Sequence, residues 1–208
     1  MKRHDKVNVT TLEAYRLMTA EVISEDDLVG QINRTGPETD DMRIGKEFAD
    51  LLEHGLLGFR IKHPAPMIDA EAFERMLTPG DRNGFPEFWL SGELCGRWIA
   101  AKADLVYGRE IREFKTTSQL NVDKYMDSLQ WRFYLLLGNA SRCYYRVFEK
   151  RDNRDTGLIE PKADHTFYVS AYPGMRADCI AALQDYEAWE QSAINRGLIS
   201  DWRKLTNA

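Results

Sequence analysis

The chain has 208 residues, 43% of them hydrophobic and 29% charged, which suits one globular domain with a sizeable core. Its net charge of -5 lacks the basic footprint usual for a nucleic-acid binder, although cations held by carboxylates would reverse the local field. No run of about 18 apolar residues marks a bilayer span, and the three cysteines, Cys95, Cys143 and Cys179, lack the CxxC spacing of a zinc site or a paired disulfide framework.

In chain order, Thr10 or Thr11 opens a short helix within an N-terminal helical segment spanning 8–24. Residues 25–42 are polar and acidic, contain Gly36-Pro37, and read as a loop. Ile44, Phe48, Leu51 and Leu52 are spaced as one helix face, with Gly55 closing a helix from Ile44 to His54. Asp69 to Leu77 is a second short helix, and Thr78 to Gly84 is a turn. Then Phe85–Leu94, Arg97–Tyr107 and Glu110–Thr116 read as strands of an antiparallel meander, punctuated by Gly96 and Gly108. Asn121–Leu137 reads as one helix, Arg142–Glu149 as a strand, Arg151–Asp164 as a polar loop and His165–Tyr172 as a strand. Met175–Arg196 is a long amphipathic helix with Ile180, Leu183 and Tyr186 on one side. This order predicts an α/β fold with a central mixed sheet flanked by helices, in a single domain over 1–208.

The stretch richest in chemistry runs from Ala101 to Thr117. Asp104 ends one strand, and Glu113 and Lys115 lie two apart on the next, so both face one side while Phe114 faces the other. The tight turn at Gly108 folds the strands together and can bring Asp104 beside Glu113. Two carboxylates on one sheet face, joined by the Phe114 carbonyl, form an oxygen-rich site suited to Mg²⁺ or Mn²⁺. A lysine beside such an ion can orient or deprotonate water, or stabilise charge on a phosphate. Downstream, Gln130 and Tyr134 are four apart on one helix face and could reach back to this cluster.

These motifs, in this order, resemble the RecB-like branch of the PD-(D/E)XK nucleases, which carries a G-x-x-D strand, a (D/E)-x-K-T strand and a Q-x-x-x-Y helix. The matching residues are Asp104, the run Glu113-Phe-Lys115-Thr116-Thr117, and Gln130 with Tyr134; Ala101 stands where the branch often has Gly. Thr11-Leu-Glu-Ala-Tyr15 resembles the branch's N-terminal signature, and Gly45 to Glu53 its G-T-x-x-H-x-x-L-E helix. The pattern is most similar to phage-type recombination exonucleases, the group of lambda exonuclease and the RecE C-terminal domain. It places the motif-bearing core at about 43–149 and leaves the helix at 175–196 unassigned. The helix position that usually supplies a further metal ligand is Ala49 here, so Glu47 and Glu93 become candidates, with Glu53 and His54 one turn on.

The resemblance implies a restriction-endonuclease-like core and a Mg²⁺- or Mn²⁺-dependent deoxyribonuclease. Asp104, Glu113 and the Phe114 carbonyl would hold the metal, Lys115 would position or activate water, and Gln130 and Tyr134 would support the site. Thr116, Thr117, Lys102 and Trp131 are candidate DNA contacts, whereas Trp89, Trp98 and Trp189 read as packing residues, and His4, His63 and His165 as surface residues. Double-stranded DNA ends are the expected substrate, with a single-strand annealing protein and a second copy of the chain as candidate partners. An endonuclease on the same core and a DNA- or partner-binding pseudo-nuclease are the alternatives. No iron–sulfur cluster is expected from three cysteines. With no apolar h-region at the start, a cytoplasmic location is expected, in the host if a phage encodes the chain.

Overall fold

In the computed structural model, residues 6–56 and 65–200 are described, the side chains of 54–56 excepted. Strand β1 (Lys6–Asn8) leads into helix α1 (Val9–Thr19), followed by α2 (Glu25–Asn33), α3 (Asp40–Leu56) and α4 (Ala70–Met76). A 3₁₀ turn (Pro79–Arg82) precedes β2 (Phe85–Leu94), β3 (Arg97–Tyr107) and β4 (Glu110–Thr117). Helices α5 (Val122–Met126) and α6 (Leu129–Gly138), strands β5 (Arg142–Asp152) and β6 (Ile159–Ser170), and helix α7 (Met175–Asn195) complete the order.

Glycine-containing turns make the meander. Cys95 (φ 52°) and Gly96 (φ 80°) form a two-residue connection with both residues in the left-handed region, and Gly108 (φ 59°) opens the next turn. β2 and β4 are both antiparallel to β3, as the spacing predicts. β5 then runs parallel to β4, and β6 antiparallel to β5. The result is one six-stranded mixed sheet, ordered β1-β3-β4-β5-β6 with β2 on the other side of β3.

One edge of β3 is shared. β1 pairs with Trp98–Ala100 and β4 with Leu105–Tyr107, leaving the segment between them without a ladder partner on that edge. The sheet therefore forks where β4 leaves β3. On one face, α1, α6 and α7 cover a core that includes Leu12, Ile111, Phe133, Tyr145 and Leu183. On the other, α3 and α4 cover Phe114 and Phe148, with the Phe48, Phe73 and Phe148 rings 5.0–5.9 Å apart. α7 is anchored by a buried pair, Arg97 Nη2 to Glu190 Oε1 at 2.9 Å, and the Tyr186 hydroxyl donates to the same carboxylate oxygen at 3.1 Å. Among the described residues, no helix is long and apolar enough to cross a membrane.

Several boundaries differ from the sequence expectation, each for a local reason. Residues 25–42 are not all loop, because Ser24 and Asp27 form a capping box: the Asp27 N–H donates to the Ser24 hydroxyl (3.1 Å) and the Ser24 N–H to the Asp27 carboxylate (2.9 Å). The expected helix from 121 to 137 is two helices, broken at Asp127-Ser128, where Ser128 caps α6. β5 and β6 extend into the polar stretch 151–164, held across the ladder by Arg151 and Glu160. α1 starts at Val9 without a side-chain cap, and α3 starts at Asp40 rather than Ile44. His4 and His63 lie outside the described residues.

The Arg97–Glu190 pair yields a stability test. Glu190→Ala removes the nearer of two carboxylates beside the buried guanidinium, leaving Glu187 at 3.9 Å, and is expected to cost about 3 kcal/mol, or roughly 2–4 °C in Tm for each kcal/mol. Arg97→Met with Glu190→Leu should recover most of that loss in thermal unfolding. A Glu190→Ala protein as stable as the wild type would show that α7 docks by its apolar face alone.

Candidate active site

The fork would leave polar backbone groups without partners, and buried peptide groups require them. Two side chains fill the need. The Phe114 N–H donates to Asp104 Oδ2 at 2.8 Å, tying β4 to β3 just beyond the last ladder pair. The Tyr134 hydroxyl donates to the Lys102 carbonyl at 2.8 Å, reaching β3 from α6. Gln130 Nε2 in turn donates to the Tyr134 hydroxyl at 2.6 Å and to Glu113 Oε1 at 2.8 Å. Lys115 Nζ donates to the same Glu113 oxygen at 2.6 Å. Glu113, Lys115, Gln130 and Tyr134 are thus joined by side-chain hydrogen bonds, and Asp104 reaches the group through the Phe114 backbone. Phe114 faces the opposite core, in keeping with strand alternation.

The cluster is charged and largely dry. Glu113 is only 2% exposed, and its second oxygen, Oε2, is buried without a hydrogen-bond partner. Burial, and then the neighbouring Glu113 carboxylate, push the Asp104 carboxyl up to about 7. Burial works against charge on Lys115, but the Glu113 and Asp104 carboxylates outweigh it and raise the ammonium's pKa. Tyr134 is pushed up by burial and then by Glu113. Two carboxylates, one of them with an unpartnered oxygen, and the chain carbonyl at Phe114 make a donor set that suits a hard divalent cation. Among the described residues, no three His, Cys, Asp or Glu side chains are grouped closely enough to cage a metal unaided. Water and the backbone carbonyl would therefore complete such a shell.

Two clefts meet at Asp104 and Lys115. One, of about 350 Å³, is bordered by α3 through Ala49 and Glu53 and by Glu87 of β2. The other, of about 380 Å³, also reaches Glu113, Gln130 and Tyr134, and is bordered by Lys102 and Trp89. Ala49 thus faces the cluster, as the resemblance implies. Glu47 does not: its carboxylate accepts from the Met67 N–H at 2.8 Å and borders a separate cleft with Asp50 and Met67. Glu93 is exposed on β2 opposite Trp98, at the far end of the strand from Glu87, and borders neither cleft.

Other expected contacts are redistributed. Lys102 borders the second cleft and pairs with Glu87, and Thr116 borders the first. The Thr117 hydroxyl is occupied by the Gln119 backbone. Trp131 is not a base platform: it is 4% exposed, with Nε1 donating to the Met126 carbonyl, because α6 turns that face inward. Trp89, read as packing, is instead 59% exposed. Tyr15 packs on Tyr186 and Trp189 rather than at the cluster. Glu87 was missed because no motif marks it. Its signal is positional: with Pro86 opposite Leu105 and Phe88 opposite Ala103, it stands across from Asp104, and it holds φ at 51°.

No protein-family model matches the chain, and no curated protein matches it by sequence. Solved structures do share its fold. A putative exonuclease from Eubacterium rectale aligns at TM-score 0.59 and 11% identity, covering 95% of this chain and 84% of that one. The protein SSO0001 aligns at TM-score 0.52 and 16% identity, covering 89% and 76%. The class defined here is an α/β protein with a restriction-endonuclease-like core, in which a mixed six-stranded sheet is flanked by helices. Within that class, the chain carries the motif order of the PD-(D/E)XK resemblance on the expected elements: Asp104 on β3, Glu113 and Lys115 on β4, Gln130 and Tyr134 on α6.

The crowding of like charges is testable without activity. A carboxyl held near 7 when folded, against about 3.9 unfolded, loses stability for the fold as pH rises between those values. Asp104→Asn keeps an acceptor for the Phe114 N–H and removes the like charge. In EDTA its Tm should exceed that of the wild type at pH 8, with the difference shrinking toward pH 4.5. Thermal unfolding at both pH values checks this, and a constant difference would contradict it.

Proposed function

We propose that the chain is a Mg²⁺- or Mn²⁺-dependent deoxyribonuclease, an exonuclease of the phage recombination type. The observation that carries this reading is the convergence of Asp104, Glu113 and Lys115 at the fork, with Glu113 Oε2 left unpartnered. The shared fold with a protein named as a putative exonuclease supports it.

Asp104, Glu113 and the Phe114 carbonyl would hold the metal. When bound, that ion would neutralise phosphate charge and lower the pKa of water. Lys115 is one-third exposed, so its ammonium can face both Glu113 and a substrate phosphate or the attacking water. Gln130 fixes the Glu113 oxygen that Lys115 also uses, and Tyr134 fixes the β3 backbone beside Asp104. These contacts read phosphate and metal rather than base edges, so sequence selectivity should be low. DNA ends are the proposed substrate, with a single-strand annealing protein or further copies of the chain as proposed partners.

Purified protein with Mg²⁺ or Mn²⁺ should digest linear DNA, spare closed circles, and stop on addition of EDTA. Lys115→Ala should lower the rate at least about 100-fold at a temperature where the variant is still folded, although the loss of its ammonium beside Glu113 should also lower Tm. Nicking or cutting of closed circles would instead favour an endonuclease on the same core. Undiminished digestion by an Asp104→Ala, Lys115→Ala double variant would remove both residues from the mechanism.

A further inference from the structure

β2 ladders only with β3 among the described residues, and midway along it Trp89 stands opposite Lys102. An indole is among the side chains most often packed away, yet this one is 59% exposed. Nor is it an isolated surface aromatic, because it borders the same 380 Å³ cleft as Asp104, Glu113 and Lys115. The Lys6 ammonium lies over one face of its ring, 4.4 Å from the centroid, and Lys102, which pairs with Glu87, borders the cleft beside it. A half-exposed π surface with an ammonium on one face and a second lysine nearby complements a nucleotide, with a base to stack on the other face and phosphates to pair. In a duplex, the faces of each base are covered by its neighbours. A platform of this kind therefore serves an unpaired or frayed strand.

We propose that Trp89 is the stacking platform, on the face that Lys6 leaves open, for a nucleobase of an unpaired strand running into the cleft toward Asp104 and Lys115, with Lys6 taking a phosphate and Lys102 exchanging its Glu87 partner for another. The inference rests on the nuclease reading for the identity of the ligand, and it narrows the substrate to an end whose strands have separated at the site. A second copy of the chain covering Trp89 is the competing occupant. The cleft's continuity with the acidic cluster and its flanking lysines favour the nucleic acid.

The test is binding of a fluorescent oligothymidylate by the full chain in EDTA, where no cleavage intervenes. Trp89→Ala should bind about 5- to 100-fold more weakly. Trp89→Phe should stay close to the wild type, whereas Trp89→Leu, which keeps apolar bulk without a π face, should behave like Trp89→Ala. An abasic oligonucleotide of equal length should bind the wild type as weakly as the intact one binds Trp89→Ala. Lys6→Ala should lower the slope of log K against log salt by about 0.7, which the Trp89 variants should leave unchanged. Four results would overturn the proposal: wild-type binding by Trp89→Ala or Trp89→Leu, indifference to base removal, no wild-type binding at low salt, or a Trp89→Ala effect confined to self-association on gel filtration. A wild-type protein that binds in this way but never cleaves with Mg²⁺ or Mn²⁺ would refute the nuclease reading and leave the platform standing.

Discussion

The parting of β3 and β4 is the constraint from which the rest of the site follows. Two strands joined by a tight turn at Gly108 ladder for only three residue pairs before they separate. Each step of separation exposes peptide groups that must be satisfied without the neighbouring strand. Asp104 takes the Phe114 N–H, and Tyr134 takes the Lys102 carbonyl. The proposed catalytic residues are thus also the pieces that keep the fork closed, which ties the geometry of the site to the integrity of the sheet. β1 and α6 complete the arrangement by bounding the gap from the other side.

The same placement concentrates charge where water is scarce. Two carboxylates and one ammonium share the fork, and Lys115 is already engaged with Glu113. The raised Asp104 pKa and the unpartnered Glu113 oxygen both mark a surplus of negative charge that the protein's own groups do not neutralise. A divalent cation would relieve it, so the strain reads as preparation for a ligand, a common bargain between stability and function. It also addresses the net charge of -5. An acidic chain could receive a polyanion where Lys102 and Lys115 border the cleft, provided the carboxylates held a cation instead of facing the phosphate.

Much of this was legible in the sequence because it depends on short-range rules. Alternation put Glu113 and Lys115 on one face, glycine at 96 and 108 cut the strands, and the four-residue spacing of Gln130 and Tyr134 put both on one side of α6. Other features depended on contacts that periodicity does not encode. Polar strands such as the outer halves of β5 and β6 look like loop until Arg151 and Glu160 are seen to pair across them. The exposure of the two tryptophans was not readable because it depends on what covers a residue: Trp131 is enclosed by its own helix turn and α5, while Trp89 is left open on β2. The Ser24–Asp27 capping box was readable, but the acidity around it masked it.

Glu87 shows how the register finishes what the motifs begin. A non-glycine residue at φ 51° in a strand is strained by about 1–3 kcal/mol and persists only when its surroundings over-determine it. Here the surroundings are Asp104 across the ladder and Lys102, with which Glu87 pairs. Ala103 and Leu105, two residues apart on β3, belong to opposite cores, so the ordinary alternation is broken at Asp104 itself. The break frees Asp104 from either core and lets its carboxylate lie along the fork, where it meets the Phe114 N–H and both clefts. With Ala49 contributing no oxygen from α3, the additional carboxylates bordering the first cleft come from Asp41, which pairs with Lys150, from Glu53, one turn after Ala49, and from this distorted position on β2. The irregularity in β2 and the acidic centre of the site are therefore one structural feature.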